Sequence, residues 1–327
     1  AIRLINQNGS VVCETDDVGD PAWALGGNAG TDPSTDFIGT TDAMALELRT
    51  ANVRSLRIEP SAETFEGGPI TSNTIAGSRA NEVLLGVRGA TISGGGVPSG
   101  PSEPLVSESG PNQVMDNYGT VGGGISNRSG LDDGDPTISV FSTVGGGSSN
   151  TASGAFSTVG GGDKNEASGS TSTISGGVVN SAMGGVSVVG GGVNNLASAE
   201  SSTVGGGNSN TASGLSSTIS GGIVNAATSE RSTVGGGSNN MAGGVNSTVG
   251  GGSFNDAVAE NSVVGGGLSN AAIGTSSAVA GGGNNEANGI WSTVSGGRLN
   301  CAGGDASWAG GNRAKVRLET NATLLSG

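Results

Sequence analysis

The chain has 327 residues, and its 66 glycines, 3% aromatic and 12% charged residues differ from the composition of an ordinary globular domain. The formal net charge of −14 argues against nucleic-acid binding, which requires basic surfaces. Histidine is absent, so Ser-His and Cys-His nucleophiles and His-ligated metals are excluded, and we expect no enzyme, metal site or cofactor. No apolar run approaches the roughly 18 residues of a membrane span.

Residues 1–72 are predicted to form a β-rich N-terminal segment that caps the fold or serves assembly. The stretches Ile2-Arg3-Leu4-Ile5 and Val11-Val12-Cys13 have the composition of short strands. The numbering starts at Ala1 rather than at Met, as expected for a secreted chain whose leader has been removed, and equally for a trimmed chain. We therefore expect an extracellular or cell-surface protein.

Residues 73–141 are predicted to be an interrupted start of a repetitive fold. Weak copies of the repeat begin at Ala90 and at Gly119, and irregular insertions separate them. One insertion contains Asp132-Asp133-Gly134-Asp135, and Asp16-Asp17-Val18-Gly19-Asp20 is a second acidic run. Their oxygens suit calcium, but neither run matches a known calcium-loop spacing, so we favour solvated turns over a metal site.

Residues 142–312 are predicted to form a regular β-roll, because eleven contiguous 15-residue units run from Ser142 to Ala306. We number the positions of a unit 1 to 15, so that coil 1 runs from Ser142 to Phe156. The consensus is S-T-V-G-G-G-x-x-N-x-A-x-x-x-x. Ser at position 1, Gly at 5 and 6, Asn at 9 and Ala at 11 never change. Such a fixed period is typical of a solenoid.

Side-chain alternation along two short strands assigns the faces of each coil. Val or Ile at position 3, Asn at position 9 and Ala at position 11 are predicted to point inward, with glycines at the corners. We interpret the Asn as a structural ladder that bonds the turn backbone and stacks on its own kind. Its first five members are Asn150, Asn165, Asn180, Asn195 and Asn210.

The outward face formed by positions 2 and 4 is almost as uniform as the interior. Its candidate assembly residues are Thr143, Thr158, Thr173, Thr203 and Thr218. A solvated face should vary as positions 8 and 10 do, whereas a face that stays small, flat and half apolar is expected to be covered by an identical neighbour. The alternative is a binding module for ice or glycan on an exposed solenoid face. Val188 and Val263 interrupt the threonines, which favours burial against a sister chain.

Residues 313–327 are predicted to be a strand-like tail, from Val316-Arg317-Leu318 and Thr323-Leu324-Leu325. The tail is basic and the N-terminal part acidic, so we expect subunits to attract head to tail and to form a filament by strand addition. Cys13 and Cys301 are candidates for an inter-subunit disulfide in an oxidising exterior. The other interpretation leaves Cys301 exposed at position 10 of its coil and Cys13 as a buried small residue.

The unit resembles the head repeat of trimeric autotransporter adhesins, of the type S-V-A-I-G-x-x-S-x-A-x-G. Ser157-Thr158-Val159-Gly160-Gly161 and Asn165-Glu166-Ala167-Ser168-Gly169 fit that register, with Gly for the second apolar residue and Asn for the second Ser. The resemblance covers residues 73–312 and implies a left-handed parallel β-roll that packs as a trimer. The segment from Trp23 to Pro60 is similar to the lead-in of bacterial secreted tail-fibre-like proteins.

Taken together, these features predict an all-β chain: a left-handed parallel β-roll or β-solenoid of 15-residue coils, trimeric, with a β-rich N-terminal segment. The predicted function is a non-enzymatic extracellular structural protein, either a subunit of a surface fibre or filament or an adhesin head. Its predicted partner is itself, as a homotrimer, a head-to-tail filament or both, with host or abiotic surfaces as further partners. We expect no nucleic acid and no membrane span.

Overall fold

The computed structural model describes residues 2–5, 11–13, 29–32, 34, 36–61, 64–65, 68–69, 71–98 and 110–316. The chain divides into two compact units, Ala1–Leu46 and Glu47–Gly327. In the first unit, β1 (Ile2–Ile5) pairs antiparallel with β2 (Val11–Cys13), as the two predicted strands require. The described residues form strands and turns without any helix, so none of them forms a helix that could cross a membrane.

A hairpin covers the N-terminal end of the solenoid. Its strands β3 (Leu46–Thr50) and β4 (Val53–Pro60) are joined by Ala51 and Asn52, both at positive φ (50° and 61°), the conformation of a two-residue hairpin turn. A smaller hairpin of β5 (Thr64–Phe65) and β6 (Gly68–Pro69) follows. β4 pairs antiparallel with the first solenoid strand, so it occupies an edge that a parallel stack would leave open.

Two parallel sheets and one narrow ladder build the coils. Sheet one contains positions 2 and 3 of each coil, and sheet two contains positions 10 and 11. Isolated bridges at position 7, from Ile125–Ser148 to Gly283–Arg298, form the ladder between them. Thr143 lies opposite Thr158 and Ala152 opposite Ala167, so each coil advances by 15 residues in register. The predicted all-β parallel solenoid is confirmed.

Each sheet has fifteen parallel strands, most of them two residues long, and sheet one also includes β4 and β3 beyond β7. Sheet one consists of β7 (Ser72–Ala76), β9 (Thr91–Ile92), β11 (Thr120–Val121), β13 (Thr143–Val144), β15 (Thr158–Val159), β17 (Thr173–Ile174), β19 (Val188–Val189), β21 (Thr203–Val204), β23 (Thr218–Ile219), β25 (Thr233–Val234), β27 (Thr248–Val249), β29 (Val263–Val264), β31 (Ala278–Val279), β33 (Thr293–Arg298) and β35 (Trp308–Asn312). Sheet two consists of β8 (Glu82–Val83), β10 (Gln113–Val114), β12 (Arg128–Ser129), β14 (Thr151–Ala152), β16 (Glu166–Ala167), β18 (Ser181–Ala182), β20 (Leu196–Ala197), β22 (Thr211–Ala212), β24 (Ala226–Ala227), β26 (Met241–Ala242), β28 (Asp256–Ala257), β30 (Ala271–Ala272), β32 (Glu286–Ala287), β34 (Cys301–Ala302) and β36 (Lys315–Val316).

The interior of each coil is small and fully buried. In coil 2, Ser157, Val159 and Ala167 have no exposed surface and Asn165 is 1% exposed. The inward assignment of positions 3 and 11 is therefore confirmed. Each coil buries only one Val or Ile and one Ala as its main apolar contribution, so contacts and hydrogen bonds between neighbouring coils hold the stack together.

The corners differ from the predicted glycine corners. Position 6 is a glycine at positive φ, as at Gly162 (97°), and this part of the prediction is confirmed. Positions 8 and 15 are also left-handed but are not glycine, as at Val179 (56°) and Val186 (57°). The Val186 amide donates to the Ser170 carbonyl of the preceding coil at 2.8 Å. This bond between coils fixes the left-handed conformation whatever side chain is present.

The two ends of the stack depart from the regular coil. The ladders continue across the two insertions, from Thr91 to Thr120 and from Arg128 to Thr151. At the C-terminal end Cys301 lies opposite Lys315, so the last coil is one residue shorter than the others. There β33 and β35 lengthen to six and five residues.

Candidate assembly surfaces

Position 2 of sheet one forms a continuous outward row. Thr143, Thr158 and Thr173 pair in register, and Thr203 and Thr218 continue the row beyond Val188. All five threonines are half-buried within a single chain. The row also extends upstream of the regular repeat, to Thr74, Thr91 and Thr120.

Position 4 lies beside the threonines on the same face, and its small size has a cause within the chain. A Cβ on Gly160 would lie 2.4 Å from the carbonyl oxygen of Ser175 in the next coil. Ser175 and Ala280 show that a small side chain is tolerated, so the crowding limits size without forbidding a Cβ. The uniformity of position 4 is therefore no evidence for a covering neighbour. Only the uniformity of position 2 still indicates that this face packs against another chain.

Positions 2 and 4 together form a surface, the Thr/Gly face, that carries no charge. From Thr74 to Gly310, no described coil has an acidic or basic side chain at either position. The face is flat because its strands are in register and its side chains are small. A long uncharged strip is unusual on a chain whose net charge is −14.

The invariant asparagines lie inside the stack. The Asn165 backbone amide donates to Asn150 Oδ1 at 3.0 Å, and Asn165 Nδ2 lies 3.1 Å from the same oxygen. Nδ2 also donates to the carbonyl oxygens of Gly161 and Gly177, both at 2.9 Å. The same pattern recurs at Asn150, Asn180, Asn195 and Asn210. These buried amides are bonded to the turn backbone and to one another, so they are not presented to a ligand.

The two cysteines lie in different units. Cys13 ends β2, and its side chain lies outside the described part of the chain. Cys301 is a half-buried free thiol in β34. Burial raises its pKa above the ordinary thiol value, and the nearby Glu286 carboxylate adds to this while Lys315 opposes it. A raised pKa lowers the thiolate fraction and hence the reactivity of this thiol.

The described ends of the solenoid carry like charges. The β3–β4 hairpin and the adjoining turn hold Arg49, Arg54, Arg57 and Arg79 against Glu47 and Glu59. Coil 11 and the shortened last coil together hold Arg298, Arg313 and Lys315 against Asp305. The acidic excess used to predict head-to-tail attraction therefore lies elsewhere in the chain than at the described N-terminal edge. Most of the C-terminal tail lies outside the described residues.

The acidic run in the second insertion forms turns. Asp135 Oδ1 accepts hydrogen bonds from the Thr137 amide (3.0 Å) and hydroxyl (2.6 Å), and Asp133 Oδ1 accepts one from the Asp135 amide (3.0 Å). Among the described residues, no group of three acidic or cysteine side chains is arranged to hold a metal ion. The run from Asp16 to Asp20 lies outside the described residues.

No protein-family model matches the chain, and no curated protein is similar to it in sequence. The part of the adhesin resemblance that the coordinates confirm is the parallel solenoid of 15-residue coils.

Proposed function

We propose that this chain is a non-enzymatic structural subunit of an extracellular surface assembly, an adhesin head or a fibre shaft. Its copies associate side by side, as a trimer in the arrangement that the adhesin resemblance implies. The observation that carries the proposal is the row of small, uncharged side chains at position 2, from Thr74 to Thr293. Crowding inside the chain already explains the glycines of position 4, whereas packing against an identical coil explains the uniformity of position 2.

Association side by side is favoured over stacking end to end by the charges of the described ends. Among the described residues both ends carry a small excess of arginine and lysine, so stacking these edges would bring like charges together. The antiparallel strand β4 also occupies the N-terminal edge of sheet one, where strand addition would otherwise be simplest. The Cys13–Cys301 cross-link belongs to the end-to-end arrangement and is disfavoured with it.

The test is the mass and shape of the native protein, measured by mass photometry and negative-stain electron microscopy. We expect short rods of about 93 kDa, three times the chain mass of 31.1 kDa, as closed cyclic packing requires. Thr218→Lys introduces a charge on the Thr/Gly face and should release single chains. Thr211→Lys introduces the same charge at position 10 of sheet two, also at a half-buried threonine, and should leave the mass unchanged.

Single rods of one chain's mass at micromolar concentration would overturn the proposal. The exposed threonines would then favour the second candidate, a module that binds ice or glycan. That candidate draws support from the regular spacing of one position-2 side chain per coil, about 4.8 Å apart along sheet one. Thermal hysteresis of the wild-type protein, abolished by Thr218→Lys, would establish ice binding.

A further inference from the structure

In coils 3 to 10 the charged residues lie on one side of the stack, whereas coil 2 carries Asp163 and Lys164 at positions 7 and 8 and coil 11 carries Arg298 at position 7. Coils 3 to 10 span residues 172–291 and contain six charged side chains, at Glu200, Glu230, Arg231, Asp256, Glu260 and Glu286. All six occupy positions 10, 14 or 15. Positions 1 to 9 of these eight coils carry no charge, although positions 7 and 8 vary freely in sequence. The uncharged side of the rod is therefore wider than the Thr/Gly face and continues around the glycine turn.

Large apolar side chains lie exposed on this added strip. We call the strip the corner row and define it by positions 7 and 8 of coils 3 to 10. Its large apolar members are between 39% and 57% exposed, and they are Val178, Val179, Val193, Ile223, Val224, Phe254 and Leu268. Position 7 is bridged from coil to coil, for example Val178 to Val193, so the corner row runs parallel to the Thr/Gly face.

Three members of the corner row are also held in an unfavourable backbone conformation. Val179, Val224 and Phe254 have φ of 56°, 54° and 56°, in the left-handed region that β-branched and bulky residues avoid. Asn194 and Asn239 occupy the same position in coils 4 and 7, and asparagine tolerates this conformation better. An exposed valine or phenylalanine is thus unfavourable for both hydration and backbone at position 8, as it also is for Val186 at position 15.

A second copy of this chain is the partner that fits the corner row. The strip repeats once per coil, about 4.8 Å, and a copy of the chain presents a complementary surface with the same period. The Thr/Gly face extends over the fifteen parallel strands of sheet one, a length of about 70 Å. In a closed ring of three copies each chain meets its two neighbours through two different surfaces, so the Thr/Gly face must contact a second, unlike surface of the next copy. The uncharged corner row adjoins the Thr/Gly face and is that second surface.

We infer that the corner row of one copy packs against the Thr/Gly face of the next, so that each chain contributes two different patches. An interface between unlike patches closes into a ring when the rotation between copies allows it, and a trimer is the ring expected here. This inference rests on the proposed side-by-side association and adds the surface on which that association depends.

The first test is a charge placed at Ile223, compared with the same charge on the opposite side of the same coil. Ile223→Lys should raise the concentration at which the assembly half-dissociates by about 100-fold or more, because a buried unpaired ammonium would lie in the interface. Thr228→Lys places the charge at exposed position 12 and should leave the mass of the assembly unchanged. Mass photometry over a dilution series measures both variants.

Val224→Asn is the second test, and its two effects have opposite signs. Asparagine already occupies position 8 in coil 4, so the variant is expected to fold, and the relief of backbone strain should leave the isolated chain at least as stable. Loss of the valine contact should weaken assembly by about tenfold per interface. If both Ile223→Lys and Val224→Asn assemble like wild type while Thr218→Lys dissociates, only the corner-row inference fails. A wild type that is a single chain overturns the proposed association as well.

Discussion

Replacing one asparagine of the ladder by alanine should destabilise the stack far more than the few side-chain atoms removed would suggest. Asn210 lies in coil 5, where its side chain is fully buried. Its Nδ2 donates to the carbonyl oxygens of Gly206 and Gly222 (2.9 Å each) and lies 3.1 Å from Asn195 Oδ1, while its Oδ1 accepts a hydrogen bond from the Asn225 amide (3.0 Å). Asn210→Ala deletes all four contacts without removing any backbone strand.

The size of this destabilisation depends on which buried polar groups lose a hydrogen-bond partner that nothing else replaces. The Gly222 carbonyl still accepts the Asn208 amide, and Asn195 Oδ1 still accepts the Asn210 backbone amide. The buried Asn225 amide loses its side-chain acceptor, and the half-buried Gly206 carbonyl loses its side-chain donor. At 1–3 kcal/mol for each unsatisfied buried group, and less where water has access, we expect a loss of about 3 kcal/mol.

Amide hydrogen exchange read by mass spectrometry is the suitable assay, because a solenoid opens locally and its unfolding need not be two-state. Asn210→Ala should raise exchange in coils 4 to 6 and lower the guanidinium midpoint. Thr211→Ala, at the adjacent half-buried outward position, should change stability by less than about 0.5 kcal/mol. Equal effects of the two variants would refute the view that the ladder stabilises the stack through its hydrogen bonds.

Three further changes test other features of the coil. Val186→Gly removes a valine side chain from a left-handed residue at position 15 and should raise the free energy of unfolding by about 0.5–1 kcal/mol in denaturant titrations. Asn194→Gly is the control and should change the free energy of unfolding little, because asparagine tolerates this conformation. An equal gain in both variants would contradict the presence of strain at Val186. Gly162→Ala should lower the free energy of unfolding by about 3 kcal/mol or more, because the new Cβ would clash with the Gly177 carbonyl oxygen in the next coil. Gly161→Ala is the control and should have a smaller effect, because the nearest atom to its Cβ would be 3.8 Å away. Burial raises the pKa of Asp116, so protonation favours the folded state and wild-type stability is lost as pH rises through that pKa. The stability of Asp116→Asn relative to wild type should therefore be greatest at neutral pH and fall on acidification in thermal melts; the opposite slope would contradict this.

Much of the coil can be predicted from the sequence because its interior obeys side-chain alternation. Val159 and Ala167 recur with a fixed period and point to one side of their strands, so their burial and the register of both sheets follow from the repeat. The left-handed corners at Val179 and Val186 are not predictable in the same way. Bonds between coils impose that conformation at positions where any side chain is accepted, so no residue type marks it.

The corner row could not be predicted by asking which positions keep the same residue from coil to coil, because its two positions vary freely. Ile223 and Phe254 occupy positions where serine and asparagine also occur, so neither stands out within its own coil. The corner row becomes evident only when the solvent exposure and charge of positions 7 and 8 are compared between successive coils along the axis of the rod. The shortened last coil, where Cys301 faces Lys315, is likewise a property of the end of the stack and not of the repeat.

The stacking of coils has a mechanical consequence. The backbone hydrogen bonds of both sheets run along the axis of the rod, so tension applied at its two ends loads the coils in series, and the least stable junction yields first. Each coil that peels away releases 15 residues, or about 50 Å of extended chain, while its neighbours remain folded. Under a pulling force the rod should therefore lengthen in many equal steps and dissipate energy at each one, as a tether that yields gradually rather than snapping.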